Sequence, residues 1–304
     1  MRTIDLFAGV GGIRKGMELA GFTTVFSNDF DEKCRETFDL NFNWPPLTLM
    51  DFNSLEFEDI PGFDVLTGGF PCQPFSVAGK REGFKDTRGN HFFTIARLIN
   101  LRQPTAFVLE NVKGLLKHDG GNTFKTILRT LQEIKYSVKY AVLNSKIHAN
   151  IPQNRERLFI VGFKDIWTCS KFEFPKPTPL TKTVFDLLED EVSDKFTVSE
   201  KIYNKLLEFG IKDDYVYQWR YNYIREHKHR GVSPCLVTVG QSPIVKVGDV
   251  FRHLTPKECF NLQGFPRNYK LPSIHDRHLY KQAGNSVTVP LIKRIADGIR
   301  ISTA

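Results

Sequence analysis

Hydrophobic and polar positions switch between two periods along the first half of the chain. "TIDLF" (Thr3–Phe7) is a short apolar run of the length of a buried strand. Gly9, Gly11 and Gly12 interrupt it, and Ile13, Met17 and Ala20 then recur at helical spacing as far as Gly21. "TTVFSND" (23–29) predicts a second strand and "DEKCRETFDLNF" (31–42) a second helix. "FDVLTGG" (63–69) and "TAFVLEN" (105–111) predict further strands, "GNTFKTILRTLQEI" (121–134) an amphipathic helix, and "VKYAVLNS" (138–145) and "RLFIVGF" (157–163) two more strands. This alternation predicts the α/β class, with a mostly parallel sheet and helices on both faces. Ligands of such folds lie at the carboxyl ends of the strands, where Gly9–Gly12, Asp29, Cys72 and Glu110 all fall.

The pattern changes near Trp167. Residues 168–195 carry several prolines and mixed charge. "YVYQWRYNY" (215–223) then alternates strictly and predicts one antiparallel or exposed strand with its aromatic residues on one face. A small β-rich lobe is expected over 166–250. "VPLIKRIADGI" (289–299) returns to helix.

Composition narrows the partners. The chain has 304 residues, enough for one large domain with a smaller lobe, and 41% of them are hydrophobic. A net charge of +8 and a pI near 9.1 favour a polyanion, nucleic acid before an anionic membrane. Cys34, Cys72, Cys169, Cys235 and Cys259 form no Cys-x-x-Cys pair, which points to a reducing compartment and away from a disulfide framework. His275 and His278 have no cysteine near them, so no metal is expected. With no signal-like start and no apolar run near the length of a membrane span, a cytoplasmic chain with no membrane partner is expected.

The chemistry-bearing residues each admit two readings on their own. The glycine turn in "DLFAGVGG", with Asp29 and Phe30 at the end of the next strand, suits a cofactor with a ribose and an adenine, or is an ordinary tight turn with a solvated acid. Cys72 in "GGFPCQPFS" is an accessible nucleophile near Arg155 and Arg157, or a buried structural thiol. Glu110 closes an apolar strand, where a carboxylate is costly unless functional or paired, and a helix cap is its other reading.

Taken together, "DLFAGVGG", "GGFPCQPFS", "ENV", "QNRERLFIVGF" and "QAGNSV" resemble, in order and separation, the DNA (cytosine-5) methyltransferases of the compact bacterial restriction–modification type. The resemblance spans residues 3–165 and 252–300. It implies a Rossmann-like S-adenosylmethionine-dependent methyltransferase domain (1–165 and 251–304) and a small β-rich target-recognition domain (166–250), with duplex DNA between them. It implies that Cys72 attacks C6 of a flipped-out cytosine, that Glu110 holds N3 and the exocyclic amine, that Arg157 contacts O2, and that Arg155 positions the nucleophile loop. For S-adenosylmethionine it implies Phe7, Ala8, Gly9, Gly11, Gly12 and Asn285 at the methionine end, Asp29 at the ribose, Phe30 on the adenine and Asp51 at its amino group. The segment 76–89, with Ser76, Lys80, Arg81 and Arg88, is expected to close over DNA as a lid.

Two positions depart from the family pattern. Asp29 stands where Glu is common, and Cys235 precedes Leu236 where relatives carry a threonine that contacts the DNA backbone. Arg220, Arg225, Lys228 and Arg230 are candidate readers of guanine or phosphate. "YQWR" and "IREHK" resemble lobes that read CCGG-like or CCNGG-like sites. A monomer is expected, and a cognate restriction endonuclease, if there is one, acts separately. The competing functions are methylation of cytosine in RNA and a non-enzymatic DNA-binding module on a dead core.

Overall fold

The computed structural model describes residues 1–71, 91–220, 222–238 and 242–304. Cys72, Ser76, Lys80, Arg81 and Arg88 lie outside the described residues. The chain divides into two compact units: Met1–Leu143, Glu156–Pro175 and Ile292–Ala304, and Asn144–Arg155 with Lys176–Leu291. These bounds differ from the expected 1–165 with 251–304 and 166–250.

Elements are numbered in chain order. The first unit opens with β1 (Arg2–Leu6), α1 (Gly12–Leu19), β2 (Thr23–Asp29), α2 (Arg35–Asp39) and β3 (Leu47–Leu49). It continues with β4 (Val65–Gly68), α3 (His91–Arg102), β5 (Ala106–Val112), α4 (Asn122–Glu133) and β6 (Ser137–Asn144). The chain then enters the second unit for α5 (Ser145–His148) and β7 (Gln153–Asn154), and returns as β8 (Glu156–Phe163) and α6 (Ile166–Lys171). One seven-stranded sheet runs β3-β2-β1-β4-β5-β8-β6. β3, β2, β1, β4 and β5 are parallel, and β8 is antiparallel to β5.

The reversal of direction in strand order, with β2 on one side of β1 and β4 on the other, brings the carboxyl ends of β1, β2, β4 and β5 to one edge. That is where α/β sheets hold ligands. Ile4, Leu6, Leu66, Phe107, Leu109 and Ile160 form part of a continuous buried core. The expected helix over 31–42 is shorter: Glu32–Cys34 is a 3-10 turn whose N-terminus is capped by Asp31, and only Arg35–Asp39 is α-helical.

In the second unit, α7 (Glu200–Phe209) packs with a four-stranded sheet of order β10-β9-β12-β13. Its strands are β9 (Tyr217–Arg220), β10 (Tyr223–Glu226), β12 (Ile244–Val247) and β13 (Val250–His253), while β11 (Ser233–Pro234) pairs with β7. The expected single strand over 215–223 is instead a hairpin. Asn222 takes φ 64°, a left-handed turn conformation asparagine tolerates well, and Trp219 comes to lie opposite Ile224. Tyr217 is fully buried while Tyr223 is half exposed, so the aromatic stripe is split between core and surface.

α8 (Pro256–Asn261) and α9 (Asp276–Asn285) also belong to this unit. The physical reason that residues 144–155 and 251–291 join it is a set of buried hydrogen bonds. The Gln153 amide donates to Leu262 O (2.7 Å) and accepts from the Leu236 N–H (3.1 Å), and Ser145 Oγ lies 2.7 Å from Thr288 Oγ1. α10 (Val289–Ser302) begins here and ends in the first unit, where Gly298 lies against Phe172.

Candidate active site

The turn after β1 is held by backbone groups and one carboxylate. Phe7 adopts φ 56°, a left-handed conformation costly for an aromatic residue and a mark of functional turns. The Ala8 N–H donates to Asn28 O (2.9 Å), the Gly11 N–H to Ala8 O (2.7 Å), and the Gly9 N–H to Asp29 Oδ2 (2.7 Å). Gly11, at φ 75°, has no room for a side chain: a Cβ there would lie 2.3 Å from the Phe42 ring. Gly12 follows as the first residue of α1.

Asp29 ends β2 in a buried position. Its Oδ1 accepts from the Asp31 N–H (2.8 Å), and burial raises its pKa. Its neighbour Phe30 is 68% exposed, a ring face left to solvent beside the acid. Beneath the turn, Asp5 accepts from Thr67 Oγ1 (3.1 Å) and the Arg14 N–H (3.1 Å), and burial pushes its pKa up to about 7.

Asp51 caps a 3-10 turn (Phe52–Ser54), its Oδ1 accepting from the Asn53 N–H at 2.9 Å. Phe52, next in this turn, packs edge-on against the Phe7 ring at 5.5 Å. His91, the first residue of α3, packs on the same Phe7 ring at 5.1 Å and places Nδ1 4.0 Å from Asp51 Oδ1. Sequence reasoning missed His91. Its only local signal is a polar residue at the head of an apolar helix.

Glu110 and Arg157 meet across the antiparallel β5–β8 pair, with Arg157 Nε 3.1 Å from Glu110 Oε1. Both side chains are mostly buried. Next to them runs the end of β4: a Cβ on Gly69 would lie 3.3 Å from Glu110 Oε2, and the Asn111 amide donates to Phe70 O at 2.9 Å. A carboxylate and a guanidinium are thus fixed beside the backbone that leads through Pro71 to Cys72. The helix-cap reading of Glu110 does not hold, because β5 continues to Val112 and Val112 occupies the cap position of the following turn.

Arg155, Asn285, Cys235 and the candidate DNA readers belong to the second unit. Arg155 is fully buried. Its guanidinium donates to Leu236 O (3.3 Å), Gly284 O (3.1 Å), Ser286 O and Cys235 Sγ (3.4 Å). These bonds tie the Cys235–Leu236 segment to the end of α9, where Asn285 is exposed. Arg225 and Lys228 are exposed and enter no ion pair among the described residues. Arg230 is paired with Asp214 through two guanidinium nitrogens. The backbone of Arg220 ends β9. Among the described residues no cluster of histidine, cysteine and carboxylate groups could hold a metal ion, and no helix is long and apolar enough to cross a membrane.

The family model for C-5 cytosine-specific DNA methylase matches residues 1–300. The chain is 47% identical to the Type II methyltransferase M.Bsp6I of Bacillus sp. (strain RFL6), covering 98% of each chain. It is 39% identical to the Type II methyltransferase M.HpaII of Haemophilus parainfluenzae, covering 95% of this chain and 86% of that one. Among solved structures, a Spodoptera frugiperda DNMT2 mutant matches with a TM-score of 0.75 at 20% identity, covering 98% of this chain and 99% of that one. The S. pombe Dnmt2 methyltransferase matches with a TM-score of 0.72 at 21% identity, covering 100% and 98%. The two solved structures share the fold.

Proposed function

The chain belongs to the C-5 cytosine-specific DNA methylases and transfers a methyl group to C5 of cytosine in DNA; we propose that it does so on a base turned out of the duplex, through a transient bond from Cys72 Sγ to C6. The donor in this reading is S-adenosylmethionine, which supplies an electrophilic methyl on a sulfonium when bound. The observation that carries the reading is the Glu110–Arg157 pair set against Gly69 and Phe70 at the entrance to the Cys72 segment.

C5 of cytosine is a weak nucleophile inside an aromatic ring. Addition of the Cys72 thiolate at C6 moves an electron pair toward C5 and N3. Glu110 holds N3 and passes a proton to it, neutralising the charge that builds there, while Arg157 holds O2. After C5 has gained the methyl group, a base removes the C5 proton and N3 returns its proton to Glu110. The electron pair re-forms the C5–C6 double bond, and Cys72 leaves as thiolate. Arg155 acts as a positioning residue through the backbone it ties.

The first unit fits the donor. Phe7, Ala8, Gly9, Gly11 and Gly12 form the turn that takes the methionine end in this reading. The Gly9 and Asp31 N–H groups hold the Asp29 carboxylate in place for a ribose hydroxyl. Phe30 offers its exposed face to adenine, and Asp51 accepts from its amino group.

The basic residues Lys80, Arg81 and Arg88, together with Ser76, Arg220, Arg225, Lys228, Arg230 and Cys235, contact DNA in this proposal. The protein works as a monomer and is the modification half of a restriction–modification system.

The test is transfer of labelled methyl from S-adenosylmethionine to duplex DNA, with tRNA as the competing substrate. Label is expected in DNA alone. Cys72→Ser should stop turnover and leave donor affinity nearly unchanged. With 5-fluorocytosine in the target, loss of the C5 substituent is blocked and a covalent protein–DNA adduct should survive denaturing electrophoresis. Normal turnover by the serine variant, or no adduct, overturns the covalent route.

A further inference from the structure

The first turn of α3 grips the turn that carries Asp51. Asn53 is held by two residues three apart on that helix: Thr94 Oγ1 donates to Asn53 Oδ1 at 2.6 Å, and Asn53 Nδ2 lies 3.1 Å from His91 Nδ1. With both amide atoms engaged, the Asn53 backbone N–H is set to donate to Asp51 Oδ1 at 2.9 Å. Because Nδ1 accepts from the Asn53 amide, the imidazole proton resides on Nε2. The ring itself is only 11% exposed and is packed edge-on against Phe7, the strained residue of the glycine turn. One imidazole therefore touches both parts of the expected donor site, the turn at Phe7 and the acid at Asp51, which lie 44 residues apart in sequence.

We propose that His91 is a positioning residue for recognition of the donor's adenine: through Asn53 it fixes the carboxylate of Asp51 in the orientation that accepts from the adenine amino group. The inference rests on the reading of Asp51 as the adenine acid. A carboxylate that is 57% exposed, as the Asp51 side chain is, would otherwise sample several rotamers and lose that directional bond.

The experiment measures binding of S-adenosylhomocysteine and of its inosine counterpart, in which the amino group is replaced by an oxo group, to the full-length protein by calorimetry. The wild type should prefer the adenosyl ligand by about tenfold or more, the worth of one hydrogen bond to a charged group. His91→Phe keeps a ring against Phe7 and removes the nitrogen. It should weaken the adenosyl ligand by about tenfold and bring the two affinities to within about twofold of each other. His91→Asn, whose amide oxygen can accept from Asn53 in place of Nδ1, should restore most of the preference, a recovery that a merely space-filling role would not produce.

A His91→Phe protein that melts normally and keeps the wild-type preference overturns the proposal. If Asp51→Ala also keeps the preference, the reading of Asp51 fails and takes this inference with it. If the wild type binds neither ligand, the donor assignment itself is at fault.

Discussion

At Glu110 the surroundings decide what a buried carboxylate can do in the proposed reaction. The residue lies inside an apolar strand, two positions before its end, and the chain answers the cost of burying its carboxylate with the Arg157 guanidinium at 3.1 Å. Glu110→Gln preserves size and removes the donatable proton. Methyl transfer measured with saturating donor and DNA should fall by about 10²–10⁴-fold, with the melting temperature little changed. A variant within a few-fold of wild type would remove Glu110 from the chemistry. Gly11→Ala tests the turn: the added methyl meets the Phe42 ring and the backbone sits at φ 75°, so the unfolding free energy should drop by more than about 1 kcal/mol. Donor affinity should fall with it, and denaturant titration beside ligand binding reads both.

At the scale of elements, the start of α8 carries a buried ionic cluster. Arg252 on β13 makes two bonds to Glu258, at 2.8 and 2.7 Å, and Thr255 closes the helix N-terminus in a capping box with the same Glu258. The Glu189 N–H donates to Glu258 Oε1 and Thr255 Oγ1 donates to Glu189 Oε2, so one carboxylate joins a loop, a strand and a helix. Glu258→Ala should cost about 3–5 kcal/mol in chemical denaturation, because it leaves a buried guanidinium without its partner. The double change Arg252→Met with Glu258→Leu should recover only part of that, since the cap and the Glu189 contact stay broken. Full recovery would mean the ion pair alone mattered.

For the whole molecule, two titrations with pH and salt are informative. Asp5 is buried with a pKa near 7, above its ordinary 3.8, so between those values the folded protein holds a proton that the unfolded chain has released. That contribution to stability is fully present below about pH 4 and is lost as pH rises toward 7. Urea midpoints measured across this window should therefore decline less steeply for Asp5→Asn than for the wild type; parallel curves would show that Asp5 does not titrate there. The net charge of +8 argues for DNA affinity that falls with salt. Exposed Arg225 and Lys228 enter no ion pair among the described residues, whereas Arg230 is already engaged by Asp214. Arg225→Ala and Lys228→Ala should each lower the slope of log affinity against log salt by about 1, and Arg230→Ala should lower it less. Equal slopes for all three would reject this ranking.

Much of the fold and of the candidate site is legible in the sequence. The strands from Thr3 to Phe163 and the ordered blocks around Gly9, Cys72, Glu110 and Asn285 are local patterns, since side-chain periodicity, glycine turns and reactive residue types are properties of a few neighbouring residues. Tertiary structure decided the partnerships. It turned 215–223 into a hairpin at Asn222, drew 251–291 into the second unit, buried Arg155 against four backbone and thiol acceptors, and set His91 beside Asp51. Each of these depends on which distant segments share register and close packing, and that is settled by the combined burial and hydrogen bonding of the folded chain, a quantity no short stretch of sequence carries.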